Sequence, residues 1–446
     1  MIPPSVAAFN RTLYVEHLEE AGFLRVRRDA LRTSDDDASA VPEVEARLLA
    51  HVDALVLGGE AALACCREAL PDAEADACFA IALLACLAPD PKLLSTLMTT
   101  ATDPAAPRAV GDALKLALPP DWAGFLLRAI GGTRDPWRRV LLDVAGHRRL
   151  ACAPAALAAV GDSPREALRA LGRVRAREGL TQMQAHREDA DAAVRLEALV
   201  AALRVGDRTV RPFALAAAPL DPVAQLALGL AGGPEAVPVL REAAAREPAS
   251  AQAVAALGLL GDGDCWAALL ALLDRPAVAA AAARALWLMA GGGPLVEVMY
   301  AETVMPESLD DDERSAFEAE GRGPLRGDGQ PYGVSAIVPS PHAVHWRAWA
   351  GERGLQPVAG LRMRWGRPFS PLAALDALAA TTLHPQLRRL AAEEFAIRFG
   401  RDDGFEPDAL HADQAARLSG LRGWAADAAH RPGGWPFAGV ELGAGA

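Results

Sequence analysis

Apolar residues recur at helical spacing along most of this chain, and short polar or glycine-containing breaks separate the apolar stretches. Residues 235–246 and 250–260 have the pattern of two helices separated by Pro248, and a glycine-aspartate-glycine stop follows them. Glycine ends a helix readily, and aspartate caps the start of the next one. A second pair follows: an apolar helical pattern over 264–274, and then another that begins at Pro276. The pattern predicts pairs of short helices.

A repeated phrase defines the period of these pairs. The phrase ALGLAG returns as ALGLLG and then as ALWLMAG, which makes Leu228, Leu257 and Leu286 equivalent positions, 29 residues apart. Earlier apolar segments carry a leucine at a similar interval, at Leu83, Leu114, Leu142, Leu171 and Leu199. Helices this short cannot bury their apolar faces alone, so successive pairs must stack on one another. We therefore predict an all-α chain with a repeat array over residues 61–293.

The sequence changes in character on both sides of this array. Residues 1–60 contain two amphipathic helical patterns and are predicted to form an N-terminal helical cap. Residues 294–343 are first acidic and then rich in glycine and proline, which predicts a loop-rich insertion, either a tolerated surface insertion or a partner-binding arm. Residues 344–430 are predicted to form a C-terminal helical repeat and cap, and residues 431–446 a loose tail.

Two family resemblances extend this interpretation. The run that contains ALGLLGD, ALLALLD and AAARALWLMAG resembles short HEAT repeats, including those of phycobilin-lyase-type proteins. The N-terminal LYVEHLEEAGFLRVRRDALR and the C-terminal LRMRWGRPFSPLAALDAL and LRRLAAEEFAIRFG resemble an uncharacterised proteobacterial HEAT-repeat family associated with type VI secretion loci. The first resemblance implies an α-solenoid, a superhelix of short HEAT-like helix pairs. The second implies a role accessory to type VI secretion, with an effector, an immunity protein or an apparatus component as partner.

Composition and charge narrow the function classes. Of the 446 residues 52% are hydrophobic but only 5% are aromatic, which favours closely spaced helices over a β-sandwich. The formal net charge of -12 argues against a nucleic-acid partner, because such proteins usually carry a basic surface. The N-terminus lacks a signal-peptide pattern and the most apolar stretches are short, so we expect a cytoplasmic protein that does not bind membranes. The cysteines lack metal-ligand spacing and are expected to be free thiols.

No sequence pattern indicates a catalytic, cofactor-binding or metal site. His342 and His345, with Glu352 as the nearest carboxylate, are more typical of surface side chains than of metal ligands. Phosphate-binding loops and nucleophile elbows are not found in the sequence. We therefore predict a non-catalytic protein-binding scaffold or adaptor without cofactors. An enzyme with an unrecognised site and a HEAT-like nucleic-acid binder remain the alternatives.

The expected partner is a protein held on the concave surface that the second helices of successive pairs form. Arginines near the C-terminus are the candidate partner-binding residues, because guanidinium and indole groups together bind carboxylates, phosphates and aromatic side chains. The alternative is a solvated edge with Trp365 in the core. The candidates are Arg362, Arg364, Trp365, Arg367, Arg388 and Arg389.

Overall fold

A computed structural model describes residues 4–33, 38–301, 309–321, 323–325, 329 and 332–442. These residues form 22 α-helices, four short 3-10 helices and six short strands, so the predicted all-α class is confirmed apart from the strands. The α-helices are α1 (Pro4–Leu31), α2 (Val41–Ala69), α3 (Ala75–Leu87), α4 (Pro91–Thr100), α5 (Ala106–Ala117), α6 (Ala123–Gly132), α7 (Trp137–His147), α8 (Ala153–Ala159), α9 (Pro164–Arg173), α10 (Leu180–Ala185), α11 (Ala192–Arg204), α12 (Val210–Ala217), α13 (Pro222–Ala231), α14 (Ala236–Ala245), α15 (Ala251–Leu260), α16 (Gly263–Leu272), α17 (Pro276–Ala290), α18 (Asp311–Glu320), α19 (Ala343–Glu352), α20 (Pro371–Ala379), α21 (Pro385–Phe399) and α22 (His411–Asp427). The strands are β1 (Leu295–Ala301), β2 (Gly333–Pro339), β3 (Met363–Arg364), β4 (Arg367–Pro368), β5 (Pro436–Phe437) and β6 (Val440–Glu441).

The first two helices pack along each other and supply the two helical elements expected before residue 60. Leu18 and Leu24 of α1 and Leu48 of α2 are buried at this end of the chain. Helix α2 is kinked at Gly59, which has a positive φ of 55° that glycine adopts without strain. Among the described residues, Val41–Asp72 is the one helical stretch long and apolar enough to span a membrane by length and composition. The kink at Gly59 interrupts that stretch near its middle.

Helices α3 to α17 pack in two layers. The odd-numbered helices α3, α5, α7, α9, α11, α13, α15 and α17 contact one another in chain order, and we call them the odd layer. Even-numbered helices such as α12, α14 and α16 form the second layer, and each packs against the odd-layer helix that follows it in the chain. Each of the eight leucines that define the period lies in a different odd-layer helix, and none is more than 1% exposed. One period therefore corresponds to one step along the odd layer.

Small residues allow the odd-layer helices to approach backbone to backbone. A Cβ atom added to Gly229 in α13 would lie 2.7 Å from the Cα atom of Ala256 in α15. One added to Gly258 in α15 would lie 2.7 Å from the Cβ atom of Ala285 in α17. Real Cβ contacts are longer than this, so the repeated ALG phrase encodes close helix packing. The same close approach occurs earlier in the layer, at Gly146 and Gly172.

The insertion after α17 is more ordered than the predicted loop. Strands β1 and β2 form an antiparallel ribbon whose register runs from Leu295 opposite Pro339 to Ala301 opposite Gly333. Part of the acidic stretch forms α18, which has a capping box between Asp310 and Glu313. Residues 302–308, at the start of the acidic stretch, lie outside the described residues. The two valines and the tyrosine of β1 were the sequence signal for a strand, because β-branched and aromatic residues are enriched in strands.

The C-terminal part of the chain folds back along the odd layer. The β3–β4 turn donates backbone hydrogen bonds from Met363 to Gly261 O at 2.7 Å and from Gly366 to Met289 O at 2.9 Å. Helix α21 then contacts α17, α15, α13 and α11. Trp435 and Phe437 are buried, so the prediction of a loose tail is wrong for residues 431–442. Residues 443–446 lie outside the described residues.

Replacing Gly258 with alanine is expected to destabilise the protein by about 1–3 kcal/mol, because the added methyl group has no room between α15 and α17. The matched control is Gly420→Ala in α22, where open space surrounds the glycine. Alanine is the better helix former, so the control should gain up to about 1 kcal/mol. Chemical denaturation measures both changes. Equal stabilities for the two variants would contradict the close packing.

Candidate functional site

The first group of predicted partner-binding arginines lies in the interior. Arg362 and Arg364 are both 0% exposed, and they share the buried carboxylate of Glu394 with Arg398. The Arg364 Nη2 to Glu394 Oε2 distance is 2.7 Å, and the Arg398 Nε to Glu394 Oε1 distance is 2.9 Å. One carboxylate therefore accompanies three buried guanidinium groups, which we call the arginine core. Burial lowers the pKa of Arg362 well below its ordinary value, and the neighbouring Arg398 lowers it further.

Carbonyl groups at the ends of odd-layer helices balance the remaining charge of the arginine core. Arg362 donates to Leu260 O at 2.7 Å, and Arg364 donates to Leu259 O at 2.6 Å, at the end of α15. Arg398 donates to Gly229 O at 3.1 Å, at the end of α13. The last carbonyls of a helix lack partners within the helix and carry partial negative charge. The arginine core thus caps two helices from a distant part of the chain.

Trp365 and Arg367 complete the predicted patch in different surroundings. Trp365 occupies the β3–β4 turn with a positive φ of 54° and is half-buried against the core. Arg367 is exposed and pairs with Asp376. Of the cluster at 362–367, Arg367 is therefore the arginine that remains at the surface, and a partner-binding role for it stays a prediction.

A second buried ionic cluster joins the loop before α22 to the odd layer. Asp402 accepts from Arg149 Nη2 at 3.0 Å and also from Arg204, while Glu406 accepts from Arg149 Nη1 at 2.6 Å. Arg149 also donates to Gly146 O at 2.9 Å, near the end of α7. No local sequence pattern marks this cluster, because more than 190 residues separate its two arginines from its two carboxylates. Only the return of the C-terminal part along the odd layer brings them together.

The third arrangement is a cleft between the connection from α1 to α2 and the C-terminal helices, and it contains the other two predicted arginines. The space between its lining atoms, together with the open solvent at its mouth, is about 480 Å³. We call it the arginine cleft; its lining residues include Arg32, Arg388, Arg389, Asp408, His411 and Gln414. Arg389 donates to Asp408 Oδ1 from Nε at 3.2 Å and from Nη2 at 3.1 Å, and Arg32 donates to the same oxygen. Arg388 bonds instead to neutral groups, Leu378 O at 2.7 Å and Gln414 Oε1 at 2.6 Å.

Positive charge exceeds negative charge in the arginine cleft. Three guanidinium groups line it, and Asp408 is the one carboxylate among its described lining residues. Burial lowers the pKa of Arg388 to about 10. Burial also lowers the pKa of Arg32 to about 9, with Arg28 and Arg389 contributing. These shifts are typical of cations whose lost hydration has not been replaced by a matching number of carboxylates.

Hydrogen bonds hold the two walls of the cleft together. Arg28 in α1 donates to Glu45 Oε1 in α2 at 2.7 Å and to the carbonyl oxygens of Asp408 and Ala409. The other oxygen of Glu45 accepts from the His411 backbone at 2.6 Å. The sequence reveals neither Arg32 nor Asp408 as a site residue, because more than 370 positions separate them.

The histidines and cysteines considered as possible ligands or nucleophiles do not come together into a site among the described residues. His342 and His345 are exposed, and His345 Nδ1 lies 2.7 Å from the hydroxyl of Ser340 near the start of α19. No group of three or more histidine, cysteine, aspartate or glutamate side chains positioned to hold a metal occurs in the described part of the chain. Burial raises the pKa of the Cys66, Cys86 and Cys265 thiols to about 12, which disfavours the nucleophilic thiolate.

Comparison with known protein families, with functionally characterised proteins and with solved structures found no match to this chain.

Replacing Glu394 with glutamine is expected to destabilise the protein by about 3–5 kcal/mol, because three buried guanidinium groups lose their shared carboxylate. The control is Asp376→Asn, which removes the carboxylate from surface pairs with Arg367 and Arg422 and should cost at most about 1 kcal/mol. Urea denaturation of both variants measures the difference. A loss for Glu394→Gln no larger than that of the control would contradict the role of the arginine core.

The Asp402 cluster predicts a dependence of stability on pH. Burial alone would raise the pKa of Asp402, but Arg204 and Arg149 outweigh burial and lower the pKa to about 2. The resulting stabilisation, about 2 kcal/mol, is fully present above the ordinary aspartate pKa and is lost as pH falls towards 2. The free energy of unfolding of wild type should therefore approach that of Asp402→Asn between about pH 5 and pH 2. A gap between the two proteins that stays constant over this range would disprove the assignment.

Proposed function

We propose that this chain is an α-solenoid of HEAT-like helix pairs that serves as a non-catalytic scaffold for a protein partner. Support comes from the odd layer, in which eight equivalent leucines occupy successive helices and glycines set the close contacts between them. Stacked arrays of this kind form extended binding surfaces. On the basis of the family resemblance, the same proposal includes a cytoplasmic location and a role accessory to type VI secretion.

The partner is proposed to bind at the arginine cleft rather than in the middle of the odd layer. Helix α21 contacts α11, α13, α15 and α17, so the chain itself covers much of the surface first expected to hold the partner. The observation that carries the proposal is the excess of guanidinium groups in the arginine cleft of an otherwise acidic chain. An acidic segment of a partner would supply the missing negative charge.

Charge pairing along α1 and the odd layer gives no support to the nucleic-acid alternative. Arg25 pairs with Asp76 at 3.0 Å and with Asp112 at 3.2 Å. Lys115 pairs with Asp143 at 2.6 Å. Binding to a phosphodiester backbone needs a continuous row of cations that are not already neutralised. A protein partner is therefore favoured over a nucleic acid.

Affinity capture from the organism of origin tests the proposal. Wild type and the control Arg347→Gln, a change at an exposed arginine of α19, should capture the same protein in equal amounts. Arg389→Gln should capture at least about tenfold less, because a charged hydrogen-bonding group is lost from the centre of the site. Quantitative mass spectrometry measures the captured protein, and titration of the purified partner then measures its affinity.

The scaffold proposal fails if no protein is captured reproducibly while the purified chain converts a small molecule. The cleft assignment fails if Arg389→Gln and Arg347→Gln capture the partner equally well.

A further inference from the structure

The arginine cleft has a charge balance suited to a dianion. Among the described lining residues, Arg32, Arg388 and Arg389 contribute three positive charges and Asp408 contributes one negative charge, which leaves an excess of two. Beside the cleft, Arg28 pairs with Glu45, and the carboxylate of Asp29 acts on Arg32 and Arg389 and offsets part of this excess. A single carboxylate would neutralise only half of the excess, whereas a phosphate monoester near neutral pH carries almost two negative charges.

The hydrogen-bonding geometry also suits an oxyanion. Arg32 and Arg389 already converge on one oxygen atom, Oδ1 of Asp408, so an oxyanion at this point is reached from both walls of the cleft. Among the hydrogen bonds of the described residues, Nη1 of Arg388 and Nη1 of Arg389 donate to no acceptor. Guanidinium groups bind phosphate oxygens through paired N–H donors, which a phosphate accepts on several oxygens at once.

We propose that the arginine cleft binds a phosphate monoester dianion carried by a side chain of the protein partner. The assignment of the phosphate to a protein rests on the scaffold function proposed above. The binding of phosphate by the cleft is argued from its lining side chains and does not depend on the scaffold function. Asp408 acts as an internal competitor, because its carboxylate holds two of the three arginines that the phosphate would engage.

Titration calorimetry with inorganic phosphate in a chloride buffer of constant ionic strength tests the cleft chemistry. Wild type and Arg347→Gln should bind phosphate saturably, with a dissociation constant of about 1 mM or lower. O-phosphoserine should bind at the same site, and glutamate, with one side-chain charge, at least about tenfold more weakly. Arg389→Gln should weaken phosphate binding by about tenfold or more, since it removes one guanidinium group.

Asp408→Asn provides a second variant whose expected effect has the opposite sign. Removing the competing carboxylate frees Arg32 and Arg389 and adds one unit of positive charge, so phosphate should bind several times more tightly. General damage to the fold would weaken binding in both variants, so tighter binding by Asp408→Asn separates the cleft from such damage. Absence of saturable phosphate binding by wild type, or weaker binding by Asp408→Asn, would overturn the proposal.

Phosphatase treatment of the captured partner identifies the source of the phosphate. Loss of capture by wild type after treatment supports a phosphate ester on the partner, and unchanged capture overturns that part of the proposal. Partner capture without phosphate binding would refute the dianion site and leave the scaffold function intact. Saturable phosphate binding with no captured partner would refute the scaffold function and leave the cleft chemistry intact.

Discussion

The structure depends on arginines that cap helix ends from distant parts of the chain. A stack of short helices directed the same way accumulates unpaired carbonyl groups and partial negative charge at one edge of the layer. Arg362, Arg364 and Arg398 place guanidinium groups at that edge, each with several donors for these carbonyls. Arginine suits this task because its planar group carries five donors and keeps its charge when buried. The C-terminal part of the chain is therefore an integral component of the helical stack.

The regular part of this architecture is predictable from the sequence, because it depends on residues within one helix and on contacts between helices that are neighbours in the chain. The spacing of Leu228, Leu257 and Leu286 reports one buried face per helix, and that face is set by periodicity within each helix. The glycine after each of the first two leucines, Gly229 and Gly258, reports close packing against the next helix. Both signals repeat at the same interval, which is why the odd layer was predictable to the level of single residues.

The C-terminal part was not predictable in the same way, because its environment is made by residues far away in the chain. Arg362 and Arg364 alternate with apolar residues in a short stretch, a pattern typical of an exposed edge strand. They are buried because Glu394 and the carbonyls of α15 lie next to them. The same reason applies to the C-terminal tail, since Phe437 becomes part of the apolar core only where the segment returns to α21. Composition alone describes such a segment as loose.

The distribution of arginines explains why an acidic chain has a cationic site. In the arginine core three guanidinium groups share one carboxylate, and helix carbonyls make up the difference. The arginine cleft has the same excess of guanidinium groups but fewer helix ends to offset it, because Arg388 has one carbonyl and one amide oxygen as partners. Burying charge without full compensation is costly, so the anionic ligand proposed above would offset part of the cost of burying Arg32 and Arg388. The cleft lies between the residues that follow α1 and helices α21 and α22, so a ligand bound there would join the two ends of the helical stack.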